Sequence, residues 1–273
     1  MGAILETEYH IGGKDKSSYL LHHENSIEII QMWSMGGNIL IKNQIFPIQP
    51  QHIYIINGKE AHCTNPLDSD KYIRSKIIIS PKYFEMLIRV MGLAESPKIK
   101  DLYEHGFLHL APTVNDSHKI DRIFQLCTQY HREKSEFSTA KMAEQLISLF
   151  VYIISAKSDD IPNDVSGNNI TAQIVSYLEK NFMEPDFSLE RLSKHLHISK
   201  YYACHQFKSA LGITVGDYVS DLKLTEARKL LIGTDLKVSA IAESLNFSVN
   251  SFCRLFKAKH SCTPLEYRKN YKE

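Results

Sequence analysis

Two stretches decide the fold: Ser188-Leu-Glu-Arg-Leu-Ser-Lys-His-Leu-His-Ile-Ser-Lys-Tyr-Tyr-Ala-Cys-His-Gln-Phe-Lys208 and Val238-Ser-Ala-Ile-Ala-Glu-Ser-Leu-Asn-Phe-Ser-Val-Asn-Ser-Phe-Cys-Arg-Leu-Phe-Lys257. Each reads as a short amphipathic helix, a tight turn, and a second helix ending in Phe-Lys. The apolar positions Leu189, Leu192 and Leu196, and Val238, Ile241, Ala242 and Leu245, fall on one face of the first helices. In the turns, Asn246 accepts left-handed backbone angles readily and His197 less easily. Ser199 and Ser248 stand where an N-cap opens the second helix. With Phe207 and Phe256 turned to the core, Tyr201, Cys204, His205 and Lys208 face outward on one second helix. Asn250, Ser251, Arg254 and Lys257 do so on the other.

The segment between them, Thr214 to Leu231, favours helix and is expected to close at Gly233 as a C-terminal cap. Eighteen residues at about 1.5 Å each span roughly 27 Å. With flanking turns, that suits two helices entering successive major grooves of B-DNA, roughly 34 Å apart. A plain helical bundle would not need the repeat.

On these motifs the chain from Ile170 to Glu273 resembles the AraC/XylS family of bacterial transcription regulators. The resemblance covers Leu189 through Ser199 and Phe207-Lys208, then Ile241-Ala242 through Phe256-Lys257. It ends in Thr263-Pro264-Leu265-Glu266-Tyr267-Arg268, which also reads as a capping box with proline at N1. Ser193 departs from the family's alanine and Asn246 from its glycine. Eight residues separate Phe247 from Phe256 where the family has nine, which is expected to shift the start of the second presented helix. The resemblance implies DNA contacts from Ser199, Lys200, Tyr201, Cys204, His205, Lys208, Asn250, Ser251, Arg254 and Lys257. It also implies double-stranded DNA, RNA polymerase, a second copy of the chain and a small-molecule effector as partners, with activation as the usual response.

The length, 273 residues at 43% apolar, allows two domains with separate cores. Residues 170–273 carry 15 Lys+Arg against 11 Asp+Glu, and residues 1–169 carry 17 against 20, so basic charge gathers at one end. Nothing reads as a membrane span or a secretory signal, which points to a cytoplasmic protein. The five cysteines form no CxxC pair and are expected to be free thiols, with neither zinc nor disulfides. None sits in a nucleophile pattern, and no catalytic residue or cofactor is assigned.

Between residues 17 and 80, short runs rich in isoleucine and tyrosine predict strands at Ser18–His22, Ile27–Met32, Asn38–Lys42, Gln44–Ile48, Ile53–Ile56 and Tyr72–Ile79. Gly36-Gly37 and Asn57-Gly58 mark turns between them. Such spacing suggests a small barrel or jelly roll. Ser80-Pro81 opens a helix, and helices follow at about Asn115–Lys134 and Thr139–Ala156. The stripe Met142, Ala143, Leu146, Leu149, Phe150 and Ile153 reads as core; the resemblance implies that part of it forms a dimer interface.

The expected architecture is α+β. A cupin-like sensor and dimerisation domain spans 1–156, a polar linker 157–169, and an all-α domain with two helix-turn-helix units 170–273. In the sensor half, which looks like the family's cupin-type domain, a polar effector pocket would draw on His22, Glu28, Trp33, His62 and Arg74, with a sugar-like ligand. A metal set from His22, Glu24, Glu28 and His62 would instead suit a cupin enzyme. Glu24, where a second histidine is expected, and the missing turn glycine count against it.

Overall fold

The computed structural model describes residues 4–12, 26–42, 44–58, 60, 62–68, 70–156, 170–184 and 186–271. The expected strand Ser18–His22, the residues His22 and Glu24, and the linker 157–169 lie outside them. The chain divides into two compact units, Met1–Gly167 and Asn168–Glu273.

The first unit carries two antiparallel sheets. In the larger, β1 (Ile4–Gly12), β7 (Ile73–Ile79), β2 (Ile27–Met32), β5 (Ile53–Asn57) and β8 (Phe107–Leu110) lie in that order. The smaller runs β4 (Gln44–Pro47), β3 (Gly37–Ile41), β6 (His62–Pro66). Every residue of β2 is buried, because this central strand is covered on both faces. Ile27 and Ile29 belong to the core under the helices, whereas Ile30 and Met32 join Ile39, Ile41, Phe46 and Tyr54 in a second core. The hairpin glycines are at positive φ, and a Cβ on Gly37 would lie 2.2 Å from the Asn65 carbonyl oxygen.

Against the larger sheet pack α1 (Pro81–Val90), α2 (Pro97–His105), α3 (Val114–Glu133) and α4 (Ser138–Ser155). Ser80 caps α1 ahead of the proline, as expected. The stripe on α4 is core: Leu146 is 0% and Phe150 1% exposed within a single chain. The expectation that these side chains reach a subunit interface is therefore corrected for this stripe. The 18-residue helix packs on α3, its Phe150 meets Phe84 of α1, and its buried side chains share one core with both helices and the sheet, so its apolar face is used up internally.

In this unit three strands, β1, β6 and β8, and one helix, α2, went unanticipated. β1 is an edge strand reading Ile-Leu-Glu-Thr-Glu-Tyr-His, and β6 reads His-Cys-Thr-Asn-Pro, neither with an apolar alternation. Pairing to β7 and to β3 makes them strands.

The second unit is all helix: α5 (Ile170–Asn181), α6 (Leu189–His195), α7 (Lys200–Leu211), α8 (Val215–Gly233), α9 (Val238–Ser244), α10 (Val249–His260) and α11 (Pro264–Tyr271). α8 has 19 residues, about 28 Å of helix. Tyr218, Val219 and Leu222 lie buried in its first half, and Leu224, Ala227 and Leu231 in its second. Gly233 is not its cap. The helix runs through Gly233 to an extended Thr234, whose hydroxyl donates to the Leu230 carbonyl at 2.7 Å, while Arg268 Nε donates to that of Leu231. Side chains supply here what a left-handed glycine would supply elsewhere. Among the described residues, no helix is long and apolar enough to cross a membrane.

Candidate nucleic-acid interface

The two helix pairs, α6–α7 and α9–α10, are built alike, residue for residue, at a separation of 49 positions. In the first, Leu196 ends α6, His197 takes φ +54°, and the Ile198 amide donates to the Ser193 carbonyl at 3.1 Å. In the second, Leu245 ends α9, Asn246 takes φ +56°, and the Phe247 amide donates to the Ala242 carbonyl at 2.9 Å. The left-handed residue reverses the chain so that carbonyls left open at the helix end find a donor. Ser193 adds a bond of its own, its hydroxyl donating to the Ile198 carbonyl.

Serine then starts each presented helix. Ser199 Oγ accepts from the Tyr202 amide at 3.1 Å, and Ser248 Oγ from the Ser251 amide at 3.2 Å. Ser199 precedes Phe207 by the same eight positions as Ser248 precedes Phe256, so α10 starts without displacement relative to α7. The cap serine and the buried phenylalanine thus set one phase in both pairs.

Ala203 and Phe207 lock α7 into the core, and Phe252 and Phe256 lock α10; all four are 0% exposed. Phe207 meets Tyr218 edge-on, and Phe256 meets Tyr267 in the same way. Lys259 Nζ pairs with Asp221 of α8 at 2.8 Å, which ties α10 to the long helix.

The opposite faces are open. Tyr201 is 81% exposed, with its ring beside that of His205 (centroids 6.1 Å apart), and His205 and Lys208 are exposed too. Cys204 is half-buried between them. On α10, Asn250, Arg254 and Lys257 are exposed. Ser251 is half-buried and its hydroxyl accepts from that of Ser248 at 2.9 Å, so it serves the cap. Ser199 is likewise an exposed cap whose oxygen is occupied. Lys200 reaches back to Glu190 of α6, whose carboxyl is held below its usual range by that contact. Lys208 and Arg254 have no ion-pair partner among the described residues. Tyr202 (44% exposed) and Val249 (43%) also reach the surface, which helical spacing from Tyr201 and Asn250 alone did not single out.

The residues expected in the sensor half do not form one group. Glu28 Oε2 and His62 Nε2 meet at 2.7 Å, both buried, across the two sheets. Arg74 pairs with Glu8 at 3.3 Å, its guanidinium 5.5 Å from the Tyr72 ring centre. Beside it, burial pushes the Lys76 ammonium down, but the carboxylates of Glu28, Glu6 and Glu8 outweigh this and hold it above its usual value. Trp33 stands apart. Its Nε1 donates to Ser75 Oγ at 3.1 Å, and Ser75 alternates with Arg74 along β7, hence faces the other way. Among the described residues, a clustered set of metal-type side chains occurs only at Asp101, Glu104 and His105, all exposed. The five cysteines form no disulfide with one another.

Residues 192–270 match the family model described as "Helix-turn-helix domain". The chain is 22% identical over 263 residues to the uncharacterized HTH-type transcriptional regulator YfiF of Bacillus subtilis (strain 168), spanning 93% of this chain and 80% of that one. It is 23% identical over 249 residues to the HTH-type transcriptional activator RhaS of Enterobacter sp. (strain 638), spanning 90% and 86%. Among solved structures it is similar to the C-terminal domain of the two-component response regulator yesN from Fusobacterium nucleatum. That likeness is 35% identical and covers 37% of this chain and 98% of that one, at a TM-score of 0.34. A helix-turn-helix family match over the open-faced helices, with relatives of this kind along nearly the whole chain, defines a helix-turn-helix transcriptional regulator. Within that class, residues 192–270 are an AraC-type helix-turn-helix domain.

Proposed function

We propose that residues 170–273 bind double-stranded DNA through α7 and α10, each the recognition helix of a helix-turn-helix unit, and that residues 1–156 sense a small polar molecule. The observation that carries this reading is the 49-residue repeat of exposed Tyr201, His205 and Lys208 as Asn250, Arg254 and Lys257. Two like faces on either side of a helix of about 28 Å suit successive major grooves. Arg254 offers a bidentate fork to guanine, His205 a single edge, and Lys208 and Lys257 point charges for phosphate.

The sensor is a cupin-like barrel, joined to the DNA-binding domain by a linker at 157–169. Its effector pocket uses Glu28, His62 and Arg74 in the inter-sheet interior, with His22 outside the described residues. Buried polar side chains amid aromatic walls suit a small polar ligand such as a carbohydrate. The protein acts in the cytoplasm as a homodimer and activates transcription with RNA polymerase rather than catalysing a reaction. Since Leu146 and Phe150 are core, the dimer contact on α4 falls to the half-buried Ile147 and Ile154 and the exposed Val151.

Sequencing of genomic fragments retained by the full-length protein tests the reading. A defined site with half-sites one helical turn apart is expected, with affinity falling steeply as salt rises. Retention without sequence preference at any salt concentration would overturn it.

A further inference from the structure

The two presented helices share a frame but not a chemistry. Each exposed position of α7 has its counterpart 49 residues on: Asn250 for Tyr201, Arg254 for His205, Lys257 for Lys208. The capping serine and the buried phenylalanine give both helices one phase, so counterparts stand at the same place on their helices. The lysine pair is alike, and a lysine charge suits phosphate, which is the same beneath every sequence. Tyr201 and Asn250 differ most. One offers an apolar ring where the other offers a planar amide.

Tyr201 is the most exposed large apolar side chain of the helical unit among the described residues, at 81%. Its hydroxyl has no hydrogen-bond partner among them. The His205 ring lies beside it, tilted by only 24°, so the two make one flat plate along the outer face of α7. A ring left in water contributes nothing to the core, and burying it against an apolar group recovers that loss. In the major groove of B-DNA that apolar group is the 5-methyl of thymine, whereas the other base edges present donors and acceptors.

Asn250 is exposed, and its amide has no hydrogen-bond partner among the described residues either. A carbonyl acceptor and an NH2 donor in one plane match the N6 donor and N7 acceptor of adenine. Asparagine has little apolar surface to set against a methyl, and a tyrosine ring has no paired donor and acceptor to set against adenine. The same place in the repeat is therefore built for different bases.

We propose that the two halves of the bound DNA site are unlike and not interchangeable: α7 reads a thymine 5-methyl through the Tyr201 ring, and α10 reads an adenine through the Asn250 amide. This rests on α7 and α10 being the recognition helices. It adds the base class under each, and hence the direction in which the protein lies on DNA.

Base analogues test it atom by atom. A site selected with the full-length protein is remade with single thymines replaced by deoxyuridine, which lacks the methyl, or single adenines replaced by 7-deazaadenine, which lacks N7. Deoxyuridine should weaken binding about threefold at a thymine of one half. Tyr201→Ala should show no such loss there, whereas Tyr201→Phe, which keeps the ring, should. 7-Deazaadenine should cost about fivefold at an adenine of the other half, and nothing in Asn250→Ala. Both side chains are exposed, so each variant is expected to keep the Tm of the parent chain. The proposal is overturned if no thymine responds to deoxyuridine in a Tyr201-dependent way, or no adenine to 7-deazaadenine in an Asn250-dependent way. It is also overturned if both positions lie in the same half. A selected site that fails these tests leaves the regulator reading standing, whereas selection that yields no preferred sequence overturns both.

Discussion

His205 and Arg254 occupy the same place on two different helices. Each lies six residues after its capping serine, Ser199 or Ser248, and two before a phenylalanine that is 0% exposed, Phe207 or Phe256. Both side chains are exposed, so the two helices offer one position to DNA with different chemistry.

The difference sets unequal costs. Arg254→Ala should lose about 1–3 kcal/mol on the cognate site and relax preference at one base pair, since the bidentate fork is lost. His205→Ala should relax one position in the other half-site by less. Selection from a randomised operator, run on both variants, measures this. Unchanged preference at every position in both would make the pair backbone contacts.

Lys208 and Lys200 separate free from spent charge. Lys208 has no partner among the described residues, whereas Lys200 is paired with Glu190. Lys208→Ala should flatten the log–log salt slope of DNA binding by about one unit and weaken all sequences alike. Lys200→Ala should change the slope by less, because its charge is already partly neutralised. Fluorescence anisotropy between 50 and 200 mM salt, roughly the range over which such contacts are screened, is the measurement.

The two turns predict a difference in stability. His197 holds φ +54° and forms no side-chain bond among the described residues that stabilises this geometry, so His197→Gly should raise the stability of the helical unit by about 1 kcal/mol. Asn246→Gly removes similar strain at φ +56° but also the bond from its Nδ2 to the Met183 carbonyl at 3.2 Å. Its gain should therefore be smaller or absent. Urea unfolding followed through the helical signal compares them.

Each unit also holds a histidine that resists protonation. Burial and the neighbouring His52 push His109 down to about 4, and burial with Arg228 and Lys259 does the same to His260. His52 Nδ1 and His109 Nε2 are 2.8 Å apart, so one ring must donate and the other accept, which two charged rings cannot do. Unfolding releases each histidine to an ordinary value near 6.5, so the unfolded chain takes up protons first. Stability from both groups should be complete above about pH 6.5 and be lost as pH falls from there to about 4. Each contributes at most about 3 kcal/mol. Thermal melts across this window should slope upward with pH, and His260→Gln should flatten the slope for the helical unit alone.

Much of this architecture was legible locally. The helix pairs are periodic in sequence, their serines cap by contact with a backbone amide three residues on, and the turn residues act on their own carbonyls. Interactions of such short range are decided by neighbours along the chain, so the sequence alone determined both presented helices and the orientation of Tyr201, His205, Lys208, Asn250, Arg254 and Lys257. It also determined β2, where unbroken Ile and Met run through a strand covered on both faces.

Only the tertiary structure decided the rest. β1 and β6 are polar segments that become strands by pairing with β7 and β3. Whether an apolar stripe such as Leu146 and Phe150 faces core or partner depends on what packs over it; α3 and Phe84 of α1 already do. Trp33 and Arg74 look alike as pocket candidates until strand alternation sends their contacts to opposite faces of β7. The bond from the Tyr9 hydroxyl to Asp121 joins an edge strand to a helix more than a hundred residues away in sequence. No periodicity encodes such a meeting, because it is fixed by packing between elements and not by spacing within them.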